Sequence, residues 1–284
     1  MKPGICGVLC GMIFILPVFA SFSGAADLAA VQKAIRESGA AWQAGATSVS
    51  RLPPDKQAAL AGLEEAGFDF EAPVFLSENK STPPADVDWR SSITPVKMQV
   101  GPYCWAYAAT AALESYAMRT QGVRGDLSVQ ALISCSGATD KTYNKAYDYI
   151  KSTGLPPASF PANCAYDKSG WQGQARKIKG WSFIKKPDVN ALKAALAQYG
   201  PLATGMRLYN DFQQYYRGGV YSLTAGAAPV GGHAVLVVGY NDAGQYFIGK
   251  NSYGTGWGEA GFFRIAYSEV KSPVRFGEYT VVYR

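Results

Sequence analysis

The chain has 284 residues, 48% of them apolar and 17% charged, with a formal net charge of +6. That is enough apolar chain for one large or two small cores, and it excludes a disordered or collagen-like protein. Its single histidine, His233, excludes a histidine-cluster zinc site, and none of the five cysteines is spaced C-x-x-C, which excludes a zinc ribbon or a thioredoxin-type centre.

Residues 1–26 read as a secretory signal. Lys2 supplies the positive start, Ile5 to Ala20 is mostly apolar, and Gly24 and Ala26 suit the positions before a cleavage site, with a cut after Ala20 as a second option. Gly7, Gly11 and Pro17 interrupt the apolar run, which favours a cleaved signal over a membrane span. Cys6 and Cys10 would leave with it. The remaining three, Cys104, Cys135 and Cys164, suggest one pair and one free thiol in an oxidising compartment.

Asp27 to Ser38 reads as an amphipathic helix, capped by Asp27, stopped by Gly39, with Leu28, Val31 and Ile35 on one face. A second helix is expected from Pro53-Pro54-Asp55 to near Gly67, with Leu60 and Leu63 inward. Ser77 to Asp86 is polar and proline-bearing, the best linker in the chain, and Asn79-Lys80-Ser81 is a formal glycosylation sequon. Residues 27–84 carry five basic and eight acidic side chains, whereas residues 85–284 carry 21 and 13. An acidic segment ahead of a basic body suits a masking pro-segment held partly by long-range attraction. The basic residues are scattered, clustering only at Arg176 to Lys179 and at Lys185-Lys186, so no nucleic-acid partner is expected.

Gln99-Val100-Gly101-Pro102-Tyr103 is loop chemistry. It runs into an alanine-rich stretch, Cys104 to Tyr116, that reads as helix. Leu127 to Ile133 and Pro187 to Tyr199 read as further helices, the last ended by Gly200-Pro201. Beyond Pro201 the pattern changes to strands. Ala234 to Tyr240 is one, turned by Asn241-Asp242-Ala243-Gly244, and Gln245 to Asn251 returns as its partner. Gly261 to Tyr267 and Tyr279 to Tyr283 follow as strands. A helical half followed by a sheet half points to an α+β fold with a cleft between the halves.

Cys104 falls at the first turn of its helix, where unpaired N–H groups and the helix dipole bias a thiol towards thiolate; the bland alternative is a small buried hydrophobe. His233 follows two glycines at the mouth of a buried strand, and the hairpin count sets Asn251 beside it. The Asn251 amide oxygen could then fix the imidazole tautomer, completing a nucleophile–base–orienter set. Gly256 to Gly261 satisfies G-x-G-x-x-G, but a strand and not a helix follows it, so a dinucleotide site is not expected.

These residues resemble the papain-like cysteine proteases over nearly all of residues 85–284. The match runs through Ala85 to Arg90, Thr94 to Lys97, Gln99 with Cys104-Trp105-Ala106-Tyr107, and Leu127 to Cys135. It continues through Tyr216 to Tyr221, His233 to Tyr240 and Lys250 to Gly258. The resemblance implies a two-lobed fold, a helical left lobe built on the Cys104 helix facing a β-barrel-like right lobe across the active-site cleft. It implies Cys104 as thiolate nucleophile paired with His233 as imidazolium, oriented by Asn251 and shielded by Tyr253 and Trp257. Gln99 and the Cys104 N–H would form the oxyanion hole, and Cys135 and Cys164 would be bridged. Gly205, Gly231 and Ala234 are expected to line an apolar substrate pocket.

The implied function is a secreted cysteine endopeptidase made as a zymogen: a signal at 1–26, an inhibitory pro-segment at 27–84 and a catalytic domain at 85–284. It would need no cofactor or metal, act as a monomer on protein or peptide substrates, and keep no membrane span after signal removal. An extracellular or periplasmic destination is expected, with a lysosomal or vacuolar one as the other choice. One histidine rules out a two-histidine occluding loop, which favours endopeptidase action. The chain departs from the family pattern in having four residues, not five, between Gln99 and Cys104, in Pro102-Tyr103 where Gly-Ser is usual, and in lacking a glycine-rich stretch after Cys135. The altered loop keeps a non-catalytic binding protein in view, and an acyl transferase would share the same residues.

Overall fold

The computed structural model describes residues 27–63, 82–160, 164, 171, 173–184 and 187–284. The expected signal, the linker as far as Ser81, the Asn79 sequon and the Lys185-Lys186 pair lie outside the described residues. Helices are α1 (Leu28–Ser38), α2 (Pro54–Ala58), α3 (Cys104–Gln121), α4 (Val129–Cys135), α5 (Asn144–Ser152), α6 (Val189–Tyr199) and α7 (Asn210–Tyr215). Strands are β1 (Trp42–Ala44), β2 (Asp86–Asp88), β3 (Trp181–Phe183), β4 (Leu202–Tyr209), β5 (Tyr216–Tyr221), β6 (Pro229–Asn241), β7 (Tyr246–Lys250), β8 (Phe262–Ala266) and β9 (Glu278–Tyr283).

Local chemistry sets most of the boundaries. The Asp27 carboxylate accepts the Ala29 N–H at 3.0 Å to start α1, and Gly39 ends it in the left-handed region. The Ser128 hydroxyl accepts the Ala131 N–H at the start of α4, and the Asp188 carboxylate does the same for Ala191 in α6. The expected helix from Pro53 is much shorter than its sequence suggested. It stops at Ala58, passes through a turn at Ala59 and Leu60, and then Gly62 and Leu63 pair with Gly232. A tertiary contact overrides propensity there.

The strands pair in the order β1-β5-β8-β7-β6-β4-β9-β3, with β2 added to β6. This path is open, so the right lobe is a sheet that does not close, and the barrel-like expectation is corrected. The α+β class stands. β6 is the longest strand and the partition of the molecule. Its alternate side chains point to opposite faces. Ala234, Leu236 and Val238 belong to a core shared with Trp105, Leu113, Leu132 and Ile150 of the helices. Val235 and Val237 belong to a second core with Phe212, Tyr216, Phe247 and Phe263. The two cores are the two lobes.

Residues 27–63 are part of this architecture. Val31, Trp42, Val49 and Leu60 are buried in the sheet-side core. β1 pairs with β5, and the Trp42 indole donates to the Ser222 carbonyl at 3.0 Å and meets the Tyr221 ring edge-on at 5.2 Å. The ion pairs seen here, Lys33–Glu37 and Lys56–Asp55, are internal to the segment. Backbone pairing and apolar burial, and no visible ion pair to the body, hold the described part in place. Cys135 and Cys164 form a disulfide with Cα atoms 5.4 Å apart, and Cys104 is free and buried.

One buried carboxylate ties α3 to the loop before it. Glu114, 1% exposed, accepts from Lys97 Nζ at 2.7 Å, from the Leu127 N–H at 2.9 Å and from the Thr94 hydroxyl. Lys250 in turn donates to the Thr94 carbonyl at 2.8 Å, so the hub reaches the strand that leads to Asn251. Replacing Glu114 with alanine strands two buried donors and leaves Lys97 only its partly exposed partner Asp126 at 2.6 Å. We expect a stability loss of about 3–5 kcal/mol, read as a lowered midpoint in denaturant; an unchanged midpoint would remove Glu114 from this role.

Candidate active site

Cys104 is the first residue of α3, entirely buried, with Tyr103 ahead of it making no side-chain cap. The uncapped helix start leaves the backbone N–H groups of Cys104 and Trp105 directed at the thiol. The N–H groups of Ala234 and Gly62 point at it as well. The nucleophile candidate thus sits against β6 from one lobe and under residues 60–63 from above.

His233 lies on β6 opposite Met206 of β4 and is also entirely buried. Its Nε2 is 2.9 Å from Asn251 Oδ1, the hydrogen bond that the hairpin count anticipated. Asn251 follows β7 directly and is 2% exposed. Since an amide oxygen can only accept, Nε2 carries the proton in this pair. The other ring nitrogen, Nδ1, has no hydrogen-bond partner among the described residues. Tyr253 stacks on the imidazole with centroids 4.9 Å apart. Trp257 stands edge-on behind Tyr253 at 5.5 Å and is fixed by donating its indole N–H to the Gln213 carbonyl at 2.9 Å. Tyr253 is therefore the ring on the histidine, and Trp257 is its support.

Gln99 is 1% exposed despite its shortened loop. Its Nε2 donates to the Gly101 carbonyl at 2.9 Å and to the Leu60 carbonyl at 3.2 Å. The loop is made possible by Gly101, at φ 75°, whose carbonyl also accepts the Tyr103 N–H at 2.9 Å. Leu60 thereby presents a carbonyl oxygen to the side chain expected to bind an oxyanion.

Residues 60–63 cross the cleft. Gly62 and Leu63 donate their N–H groups to the Gly232 carbonyl at 3.2 and 3.1 Å, and Gly232 donates back to the Leu63 carbonyl at 3.2 Å. Gly62 lies flat against the loop: a Cβ there would stand 2.1 Å from the Pro102 carbonyl oxygen. Leu63 reaches a pocket lined by Trp105, Tyr143, Tyr147, Ala203, Thr204, Gly205, Ala234 and Tyr279. Gly205 and Ala234 both line this pocket. Gly231 is not in this pocket. It shares the His233 face of β6, and what it meets is the Ala61 methyl group, 3.3 Å from a Cβ built at that position. The sequence shows Tyr143 and Tyr147 as an aromatic cluster suited to core or cleft wall, and both buried rings line this pocket.

The expected thiolate–imidazolium pair is absent in this covered form. Burial pushes the Cys104 thiol up to about 11, against the four backbone N–H groups that pull it down. Burial likewise drives His233 down to about 4, with Asn251 and the Leu60 carbonyl opposing. Burial thus works against the charge on both groups.

A family model described as papain family cysteine protease matches residues 83–278. The chain belongs to that family. It is 33% identical over 223 residues to cathepsin L1 of Drosophila melanogaster, covering 72% of this chain and 59% of that protein. The chain thus spans about 60% of the length of that curated relative. Among solved structures, the proform of the Amb a 11 cysteine protease, a ragweed pollen allergen, superposes with a TM-score of 0.74 at 25% identity, covering 89% of this chain and 86% of that one. Procathepsin B S9 from Trypanosoma congolense shares the fold with a TM-score of 0.74 at 19% identity, over 92% and 99% of the two chains.

A neutral, covered thiol has a kinetic signature. In the full chain, alkylation of Cys104 by iodoacetamide is expected to be slow at pH 7 and to keep accelerating above pH 9, as the thiol approaches its raised pKa. A rate already at its plateau by pH 6 would show that the thiolate exists beneath the cover.

Proposed function

We propose that this chain is a cysteine endopeptidase made as an inactive precursor, in which residues 27–84 block a catalytic domain formed by residues 85–284. The observation that carries the reading is the meeting, on two lobes, of a helix-start thiol, a histidine held through Nε2 by an asparagine, and a glutamine N–H facing a backbone carbonyl oxygen. In the uncovered site, the Cys104 thiolate attacks the scissile carbonyl carbon. The oxygen takes the electron pair and is held by the Gln99 amide and the Cys104 N–H, with one such donor contributing ~3–4 kcal/mol. His233 gives its proton to the departing amine, leaving a thioester on Cys104. Water, deprotonated by His233, then attacks the thioester, releasing the acid and the Cys104 thiolate and leaving the proton on His233.

The pocket that Leu63 reaches supports a preference for a bulky apolar side chain in the substrate. The binding-protein reading loses its motive, since the short loop still aims the Gln99 N–H into the cleft. Among the described residues no helix is long and apolar enough to cross a membrane. The signal at 1–26 supports export to an extracellular or periplasmic space. Cleavage between residues 77 and 85 is the expected activation step.

The test is labelling by an epoxysuccinyl thiol-protease inhibitor, read by mass spectrometry. A single adduct on Cys104 is expected, slow in the full chain, faster once the chain is cut near residues 77–85, and abolished by His233→Ala. Absence of any adduct in the folded, processed protein would overturn the reading. Gly62→Ala, whose added methyl cannot coexist with the Pro102 carbonyl, is expected to speed labelling of the uncut chain by about tenfold, the effect of losing roughly 1.4 kcal/mol of cover. A peptide library offered to the processed protein should return leucine-sized apolar residues in that pocket; selection of charged or small residues would reject the pocket assignment.

A further inference from the structure

Behind the candidate site, α3 and β6 leave a small cavity. Its wall includes Ala108 and Ala111 of α3, Ala234 and Leu236 of β6, and Lys250 and Asn251 at the end of β7, and it has room for about one or two water-sized particles. Asn251, 2% exposed, gives its Oδ1 to His233 at 2.9 Å and to the Ser252 N–H at 2.8 Å. Its Nδ2, on the other side of the planar amide, is buried with no hydrogen-bond partner among the described residues. Lys250 is a buried ammonium, 5% exposed, that donates to the Thr94 carbonyl at 2.8 Å and the Thr94 hydroxyl at 3.3 Å. Among the described residues it forms no ion pair with a carboxylate. We propose that this cavity is a binding site for one small monovalent anion of halide size, held between the Asn251 amide N–H and the Lys250 ammonium. The site lies outside the peptidase reading above and stands whatever Cys104 does.

Charge and size both select a halide. A buried cation without a counter-charge is costly. Two lysines line the cavity, and Lys97 is already served by Glu114 at 2.7 Å and Asp126 at 2.6 Å. Glu114 is not in the cavity wall, and its carboxylate accepts from Lys97, the Leu127 N–H and the Thr94 hydroxyl. Burial drives Lys250 down to about 8, with Glu114 opposing and Lys97 adding to the push, so the ammonium still carries its charge at pH 7. An anion in the cavity offsets that charge and accepts from the orphaned amide N–H in one step. A water would accept from Nδ2 and leave the charge uncompensated. A carboxylate or phosphate is too large for the space, and the mostly apolar remainder of the wall offers little to its further oxygens. Seated there, the anion also resists a turn of the Asn251 amide, because the turned oxygen would face it, and so keeps Oδ1 towards His233.

The full chain is the material, so the test does not depend on activation. Its thermal midpoint is followed as chloride replaces gluconate, an anion too large for the cavity, at constant ionic strength. The midpoint should rise by about 2–4 °C over a roughly hundredfold increase in chloride, the mark of a ligand bound by the folded form alone. Two variants separate this from a general salt effect. Lys250→Gln keeps a donor and drops the charge, and Ala111→Leu fills the cavity and leaves both donors in place. Each should flatten the chloride response, measured against its own midpoint in gluconate. Crystals of the wild-type chain grown with bromide give the position: a single anomalous peak in contact with Asn251 Nδ2 and Lys250 Nζ is expected. Should either variant fail to fold, the wild-type midpoint and the bromide peak still decide. A midpoint indifferent to chloride, a response that survives in both variants, or a cavity without anomalous signal in bromide would overturn the proposal. A peak in the cavity with no effect of chloride on the midpoint would mark an adventitious ion only, and overturns it as well.

Discussion

The alternation of side chains along β6 is the constraint on which the molecule depends. A strand can serve two hydrophobic cores only if successive residues face opposite ways, and here Val235 and Val237 feed the sheet core while Ala234, Leu236 and Val238 feed the helical one. A one-residue slip would exchange these sets and carry His233 away from Tyr253. Register is therefore fixed by packing far larger than the site. His233 inherits its position from that register, and Cys104 inherits its own from α3, which packs on the opposite face of the same strand. Cys104 and His233 thus take their positions from opposite faces of one strand.

The state of those groups follows from what covers them. The helix start and its N–H groups favour a thiolate, as position in the sequence suggested, but the local field is weaker than the loss of water beneath Leu60, Ala61 and Gly62. Thus one short stretch of chain sets the surroundings of both side chains. The contacts of that stretch are made mostly by backbone: the paired bonds to Gly232, the Leu60 carbonyl towards Gln99, and the glycine pressed on Pro102. Such contacts place few demands on side-chain identity except at Gly62, where no other residue fits without displacing the loop.

Much of this was legible in the sequence, and for identifiable reasons. Alanine-rich periodicity marked the Cys104 helix, Asp27, Ser128 and Pro187-Asp188 lay at helix starts, and the turn at Asn241 to Gly244 set the count that joins His233 to Asn251. These signals are local. What was not legible was decided by partners distant in the chain. The second helix ends early because Leu63 finds Gly232, and β1 exists because β5 offers an edge to three residues that carry no strand pattern of their own. Gly231 was grouped with the pocket by nearness in sequence, whereas the pleat points it at Ala61. The covered thiol reversed its expected pKa direction because burial by residues forty positions upstream leaves no trace around Cys104 itself.

The burial of Val31, Trp42, Val49 and Leu60 in the sheet-side core makes the N-terminal described segment part of the fold it lies on. These side chains are worth roughly 1.5–3 kcal/mol each when fully buried, and they belong to the same covalent segment that lies across Cys104. A cut after them would convert an intramolecular contact into a bimolecular one and let the segment diffuse away, baring the trough beside Tyr216 and Tyr221. The trimmed protein would then owe its persistence to the height of its unfolding barrier more than to the depth of its native well. Once unfolded, it would lack part of the chain around which its second core was assembled.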